Sequence, residues 1–372
     1  MARNINERLQ QLHNRRSGID RIGRLTEDAK LTVFSNSLIE ENWQKRARTQ
    51  PYTRYALGSM QEVDSDYTRI SIESAQRVGN QLNTALANID FRLQGSVPLN
   101  VHIRGVSDVD VLVLNTDFLS YATSGQWGQQ RLYTDSPRKS TDVLLESRQK
   151  TEDILKAKFP AAKIDTSGGK AINISGGSLA RPVDVVPSHW YDTVGYQASG
   201  FEHDRGVIIL NKKVPEAIIN LPFLHIKYIS DRCNSVAGGL RKAIRLCKNV
   251  KAEAEENGDN ISLPSFDIAA TMYHADLGAL LIGCIHELAI LAETQRHLDA
   301  LACNHTYAKT LLVPDGSRAI FNTADKLVGL NKLSTEMDNL LREVAKEQNR
   351  KLATVVEPSL LDSRSAISSV KV

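Results

Sequence analysis

The 372-residue chain lacks any apolar run approaching the roughly 20 residues that a membrane-spanning helix needs, so no membrane role is expected. Its first residues, MARNINERLQQLHNRR, have no apolar signal core, which speaks against secretion. Cysteine is scarce: Cys233, Cys247, Cys284 and Cys303 are all there is, and no two form CxxC. That excludes a zinc ribbon and a dithiol redox motif, and fits small core residues of a reduced, cytoplasmic protein. His286-Glu287 lacks the second histidine of HExxH, so a zinc protease is unsupported. No excess of one charge exists either: the net charge is +3, too small to indicate strong nucleic-acid binding. Internal repeats are absent.

What remains is an ordinary globular composition, 41% hydrophobic and 24% charged, in a chain long enough for two domains. Helical spacing of Ile19, Ile22, Leu25, Phe34, Leu38, Ile39 and Trp43 predicts a long N-terminal helix. A second helix is expected after Asp66, with Asp66 as its N-cap. Short strands follow: FRLQGS, DVDVLVL, AKIDTS, AINIS, PVDVVP and GVIIL, interrupted by a helix around 141–158. The two SGG triplets, at 167–169 and 175–177, read as hairpin turns. Beyond about residue 215 the pattern is helical, with LGALLIGCIHELAILAETQRHLDALAC read as one central helix. The expected organisation is an α+β domain over 1–215, a helical domain over 216–355, and a loose tail over 356–372.

One strand carries an oddity. In GVSDVDVLVL, Asp108 and Asp110 stand at the start of an apolar, β-branched run. Side chains alternate along a strand, so the two acids share a face and Val109 takes the other. Adjacent like charges need a cation or a proton, and a hard divalent ion takes one or two carboxylates plus substrate phosphates. A loop of eleven residues separates Gly95-Ser96 from Asp108, and there glycine allows a phosphate close to the backbone and serine can donate to it. In RPVDVVPS a third acid, Asp184, is flanked by valines. If the two strands are neighbours, three carboxylates converge, which are the parts for two-metal phosphoryl transfer. A second Gly-Ser with Asp-x-Asp, in GSMQEVDSD, has a gap of only four residues and no apolar strand after it, and reads as turn chemistry.

Gly95-Ser96, Asp108-Val109-Asp110 and Asp184 resemble the GS…DxD…D pattern of the polymerase-β-like nucleotidyltransferases. The whole chain is similar to the bacterial cGAS/DncV-like nucleotidyltransferases, the CD-NTases. The strongest part is YTRISIESAQRVGNQL…FRLQGSVPLNVHIRGVSDVDVLVL…PVDVVPSHWYDT, and GGLRKAIRLCKNVKAEAE with LPSFDIAATMYHA looks like their helical domain. The resemblance implies a nucleotidyltransferase core of mixed sheet and flanking helices, a helical second domain, and a long N-terminal brace. It matches Lys248 to the lysine that contacts the donor triphosphate. It matches Ser265-Phe266 to the pair that holds phosphates and stacks on the base. It departs at Val101, where many members have threonine, and it lacks the zinc-binding insertion of animal cGAS.

The resemblance implies two Mg²⁺ ions, with Mn²⁺ as a substitute, held by Asp108, Asp110 and Asp184. It implies nucleoside triphosphate substrates, ATP or GTP, joined into a cyclic di- or trinucleotide for anti-phage signalling. A downstream effector would sense the product, and a regulatory protein or one gripping the tail would be a further partner. Three alternatives stand beside it: transfer of nucleotides to an RNA end or a small molecule, a non-catalytic binding protein on the same fold, and a helical interaction protein whose acids are incidental. His102 and His189 flank the expected site, with a polar loop histidine as the default reading of each.

Overall fold

The computed structural model describes residues 4–17, 30–31, 40–103 and 108–372. Most of the segment expected to form the long N-terminal helix lies outside these residues. Within them, an N-terminal helix, Ile5–Ser17, packs against the helices Pro51–Met60 and Gly239–Glu256.

All six strands read from the sequence form, with a seventh beside them: β1 Ile89–Gln94, β2 Val109–Tyr121, β3 Ala162–Asp165, β4 Ile172–Gly176, β5 Val183–Asp192, β6 Gly206–Asn211 and β7 Glu216–Asn220. They join in one mixed sheet, in the order β1-β2-β5-β4-β3, and β6 and β7 extend it from β5. The pairs β1–β2, β3–β4, β4–β5, β5–β6 and β6–β7 are antiparallel, and β2–β5 is parallel. Parallel pairing needs a crossover, which the helix Ser140–Lys158 helps to provide.

Alternation decides which side of the central strands meets which core. Val109, Val111 and Val113 of β2 and Val183 and Val185 of β5 pack with Ala75, Val78 and Leu82 of the helix Ser65–Ala85. Leu112, Leu114 and Val186 point the other way, toward Trp190, Val207 and Ile209. Each fully buried aliphatic side chain contributes roughly 1.5–3 kcal/mol. Asp108, Asp110 and Asp184 are thus at the open end of that second face.

The Ser65–Ala85 helix begins two residues earlier than expected and is capped by Asp64, which accepts from the Asp66 N–H. The expected Asp66 cap is therefore corrected: Asp66 lies in the first turn. The apolar segment read as one helix is two, Leu277–Ile282 and Leu288–Cys303. A Cβ at Gly283 would stand 2.2 Å from Ile290 Cγ1, so the turn between them closes tightly on the next helix.

The expected loose tail over 356–372 is also corrected. Leu360–Ile367 is a helix that packs on the helices Leu288–Cys303 and Ala324–Gln348. Ser359 caps it by accepting from the Asp362 N–H, Arg364 donates to Gln295, and Ile367 is fully buried. An eight-residue helix is not stable alone. Its order comes from tertiary contacts that local sequence does not display. Ile367→Ala should therefore lower unfolding free energy by about 2–4 kcal/mol in urea titration. A loss below about 0.5 kcal/mol, the range of neutral surface changes, would mean that this segment is not part of the core.

Candidate active site

The β2–β5 register sets Asp110 directly beside Asp184. On the outer sides of this pair stand Gln94 of β1, opposite Asp110, and Asn173 of β4, opposite Asp184. Asp108 immediately precedes β2. Asn173 Nδ2 donates to Asp184 Oδ1 at 2.8 Å and to Asp108 Oδ2 at 3.3 Å. Two carboxylates separated by 76 positions in sequence are therefore within reach of one amide nitrogen. A distant Asp184 would have favoured the interaction-protein alternative, and the geometry removes that support.

Burial and mutual repulsion act on the cluster. Burial, then Asp184, then Asp108, pushes the Asp110 carboxyl up to about 7, against the pull of Lys248. Asp184 is raised too, by burial and by Asp108, against the hydrogen bond from Asn173. Asp110 and Asp184, two acids that resist ionising beside a third, suit a cationic partner. Among the described residues no three His, Cys, Asp or Glu side chains close around one point as a finished metal cage. Mg²⁺ does not require one, because substrate phosphates and water complete its shell.

Gly95 follows β1 with φ +79, a left-handed conformation that favours glycine. A Cβ there would lie 2.2 Å from Asp110 Oδ2, so the Gly95-Ser96 backbone runs directly against the acids. Lys248, on the buried face of the helix Gly239–Glu256, donates to the Val101 carbonyl at 2.9 Å. Burial lowers its pKa to about 7, with Asp110 opposing. Ser265 opens the helix Ser265–Tyr273 behind Pro264, and Phe266 follows it at 39% exposure. A cleft of about 760 Å³ is lined by Gly95, Ser96, Asp108, Asp110, Asp184, Lys248, Ser265 and Phe266 together. That volume lies in the range of small-molecule sites.

The comparisons with known proteins bear on this geometry. No family model matches the chain. It is 45% identical over 320 residues to the cyclic dinucleotide synthase CdnE of Yersinia aleksiciae, across 86% of this chain and 83% of that protein. The chain belongs to the bacterial cGAS/DncV-like nucleotidyltransferases. It is 30% identical over 280 residues to a c-di-GMP synthase of a Lachnospiraceae bacterium, across 69% of this chain and 80% of that protein. Among solved structures, the STING-associated CdnE c-di-GMP synthase of Capnocytophaga granulosa superposes with a TM-score of 0.70 at 27% identity, covering 91% of this chain and 97% of that one. This CD-NTase is thus a nucleotidyltransferase on an α+β core of mixed sheet and flanking helices.

Several cleft residues of this CD-NTase escaped sequence reading. His225 is buried and stacks on Phe266 with ring centroids 4.1 Å apart. Its Nδ1 has no hydrogen-bond partner, and burial pushes its pKa down to about 4, so it is neutral at physiological pH. Arg318 places its guanidinium 5.4 Å from the Phe266 ring centre and pairs with Asp267, which Lys326 also holds at 2.8 Å. The histidine and the arginine lie in a helix and a hairpin that are distant in sequence, so only tertiary packing unites them. Asn173, which bonds two of the acids without lining the cleft, sits in an apolar strand and carries no charge signal. His102, in a loop as expected, and His189, in β5 rather than a loop, are both buried and do not line the cleft. His102 bonds Thr68, and His189 bonds Ser140. The first SGG triplet lies in the turn between β3 and β4 as expected, whereas Ser175 and Gly176 of the second are the last residues of β4, paired with β3, and only Gly177 lies beyond the strand.

Proposed function

We propose that this CD-NTase condenses nucleoside triphosphates into a cyclic dinucleotide, with release of pyrophosphate, using the cleft at the head of β2 and β5. The observation that carries the reading is the Asp110–Asp184 register pair, with Asp108 tied to it through Asn173, opposite the Gly95-Ser96 turn. Asp108, Asp110 and Asp184 would hold Mg²⁺, or Mn²⁺ in its place. When bound, the cation neutralises developing phosphate charge and lowers the pKa of the acceptor ribose hydroxyl. The chain's own residues supply position and charge. The Gly95-Ser96 turn brings backbone N–H groups and a hydroxyl against the triphosphate. Lys248 adds a point charge beside Asp110, and Ser265 a donor at a helix N-terminus. Phe266, backed by His225 and Arg318, presents a stacking surface to a base. The acceptor hydroxyl oxygen, giving up its proton to solvent, bonds to the α-phosphorus as the bond from that phosphorus to the bridging oxygen breaks and pyrophosphate leaves. Most of the rate enhancement then comes from orientation and preorganised electrostatics.

Family membership supports placing this activity in cytoplasmic anti-phage signalling, with a separate effector that binds the product. Two of these relatives are c-di-GMP synthases, which favours guanine nucleotides among the substrates. The test is incubation of the purified protein with Mg²⁺ and each combination of labelled ATP, GTP, CTP and UTP. Products are treated with phosphatase and identified by mass. A phosphatase-resistant cyclic dinucleotide is expected. Exclusively linear, phosphatase-sensitive products would instead assign the site to chain or end addition.

A further inference from the structure

We propose that Asn173 is a positioning residue of the acid cluster, orienting Asp184 and Asp108 for a shared divalent cation. This rests on the metal reading above and extends it to a side chain that is neither acidic nor a phosphate contact. An amide nitrogen carries two hydrogens. In Asn173 they are directed to two different members of the cluster, Asp184 Oδ1 at 2.8 Å and Asp108 Oδ2 at 3.3 Å.

The backbone beneath this amide is fixed from both sides. Asn173 pairs with Asp165 on β3 and with Asp184 on β5. Its neighbours Ile172 and Ile174 are fully buried in the core on the opposite face. A short side chain on a doubly paired strand loses little further freedom on making these bonds, and such support keeps first-contact groups in productive geometry. Its chemistry is equally constrained. A lysine here would compete with the cation, and an aspartate would add a fourth negative charge. A neutral donor offsets repulsion between two carboxylates and leaves their charge available. Partners of this kind behind metal-binding carboxylates typically change metal affinity by 10- to 100-fold when lost.

The experiment measures Mn²⁺ binding to the full chain by electron paramagnetic resonance, with metal-free thermal unfolding in parallel. Asn173→Ala should weaken Mn²⁺ binding by about 10-fold and raise the Mg²⁺ concentration for half-maximal product formation by a similar factor. Its metal-free melting temperature should fall by only a few degrees, the scale of two lost hydrogen bonds. Asn173→Ser, which retains one donor on a shorter arm, should fall between the two, and it carries the test if the alanine variant does not fold. A purely structural asparagine would lower the melting temperature and leave Mn²⁺ affinity of the folded protein unchanged. Wild-type affinity in both folded variants overturns the proposal. The Asp108→Ala/Asp110→Ala pair separates it from the underlying reading: if that pair still binds Mn²⁺ as the wild type does, the metal is not held at this cluster, and both fail.

Discussion

Asp110→Asn is expected to abolish product formation and, in metal-free buffer at pH 8, to raise the melting temperature. Most active-site substitutions that remove a charge are read from activity alone. Here the stability change has a definite sign. The Asp110 carboxyl is pushed from 3.8 to about 7 by burial and by Asp184 and Asp108. Between those two values the folded protein holds a proton that the unfolded chain has released. Stability of the metal-free wild type therefore falls as pH rises from about 4 to about 7 through this group. The amide has no such dependence. The melting-temperature gap between variant and wild type should be small near pH 4, open through pH 7 and level off above it. At roughly 1.4 kcal/mol per pKa unit the contribution is at most a few kcal/mol, hence a few degrees. Added Mg²⁺ should reverse the order, because it stabilises only the chain that binds it. Activity should fall by about 10³-fold or more, the scale on which a preorganised charge at a reacting centre acts. Differential scanning fluorimetry at pH 4, 6 and 8, with and without Mg²⁺, reads all of these. A variant less stable than the wild type at pH 8 without metal would show that Asp110 is a satisfied structural acid.

The acids that carry this prediction were legible because the strand code is simple. A period of two places Asp108 and Asp110 on one side of a valine-rich run, and a lone acid among valines marks Asp184 as a partner. The adjacency of β2 and β5 was not in either motif. It follows from the sheet order, and in this fold it turns a suggestive spacing into a register pair. Asn173 marks the limit of such reading. Nothing distinguishes an asparagine in AINIS until β4 is laid against β5. His225 and Arg318 are hidden for a related reason. Each is unremarkable in its own element, and the His225–Phe266–Arg318 tier exists only where helix, helix and hairpin meet. The C-terminal helix fails from the opposite side. Its few apolar residues look too sparse for structure, and a single fully buried isoleucine with a capping serine and an anchored arginine holds it.

Gly95→Ala should cost both stability and activity, and a comparison with Gly200→Ala separates its two causes. Both glycines adopt positive φ, +79 and +72, so alanine meets a backbone penalty of about 1–2 kcal/mol at either position. At Gly200, the residue after the helix Val194–Ser199, nothing lies within 4 Å of the added Cβ. At Gly95 the added carbon would stand 2.2 Å from Asp110 Oδ2 and 3.1 Å from its Cγ. Relief requires the carboxylate or the turn to move by about an ångström. Either displacement separates the acids from the Gly95-Ser96 backbone, and misplacement on that scale lowers rates by about 10²-fold. Gly200→Ala should thus lose stability and keep activity per folded molecule. Gly95→Ala should lose both, with the rate falling at saturating nucleotide because the defect lies between bound groups. Initial rates normalised to the folded fraction decide the matter. Full activity in Gly95→Ala would mean that the triphosphate does not approach through this turn, and the phosphate-binding role would have to pass to Lys248 and Ser265 across the cleft.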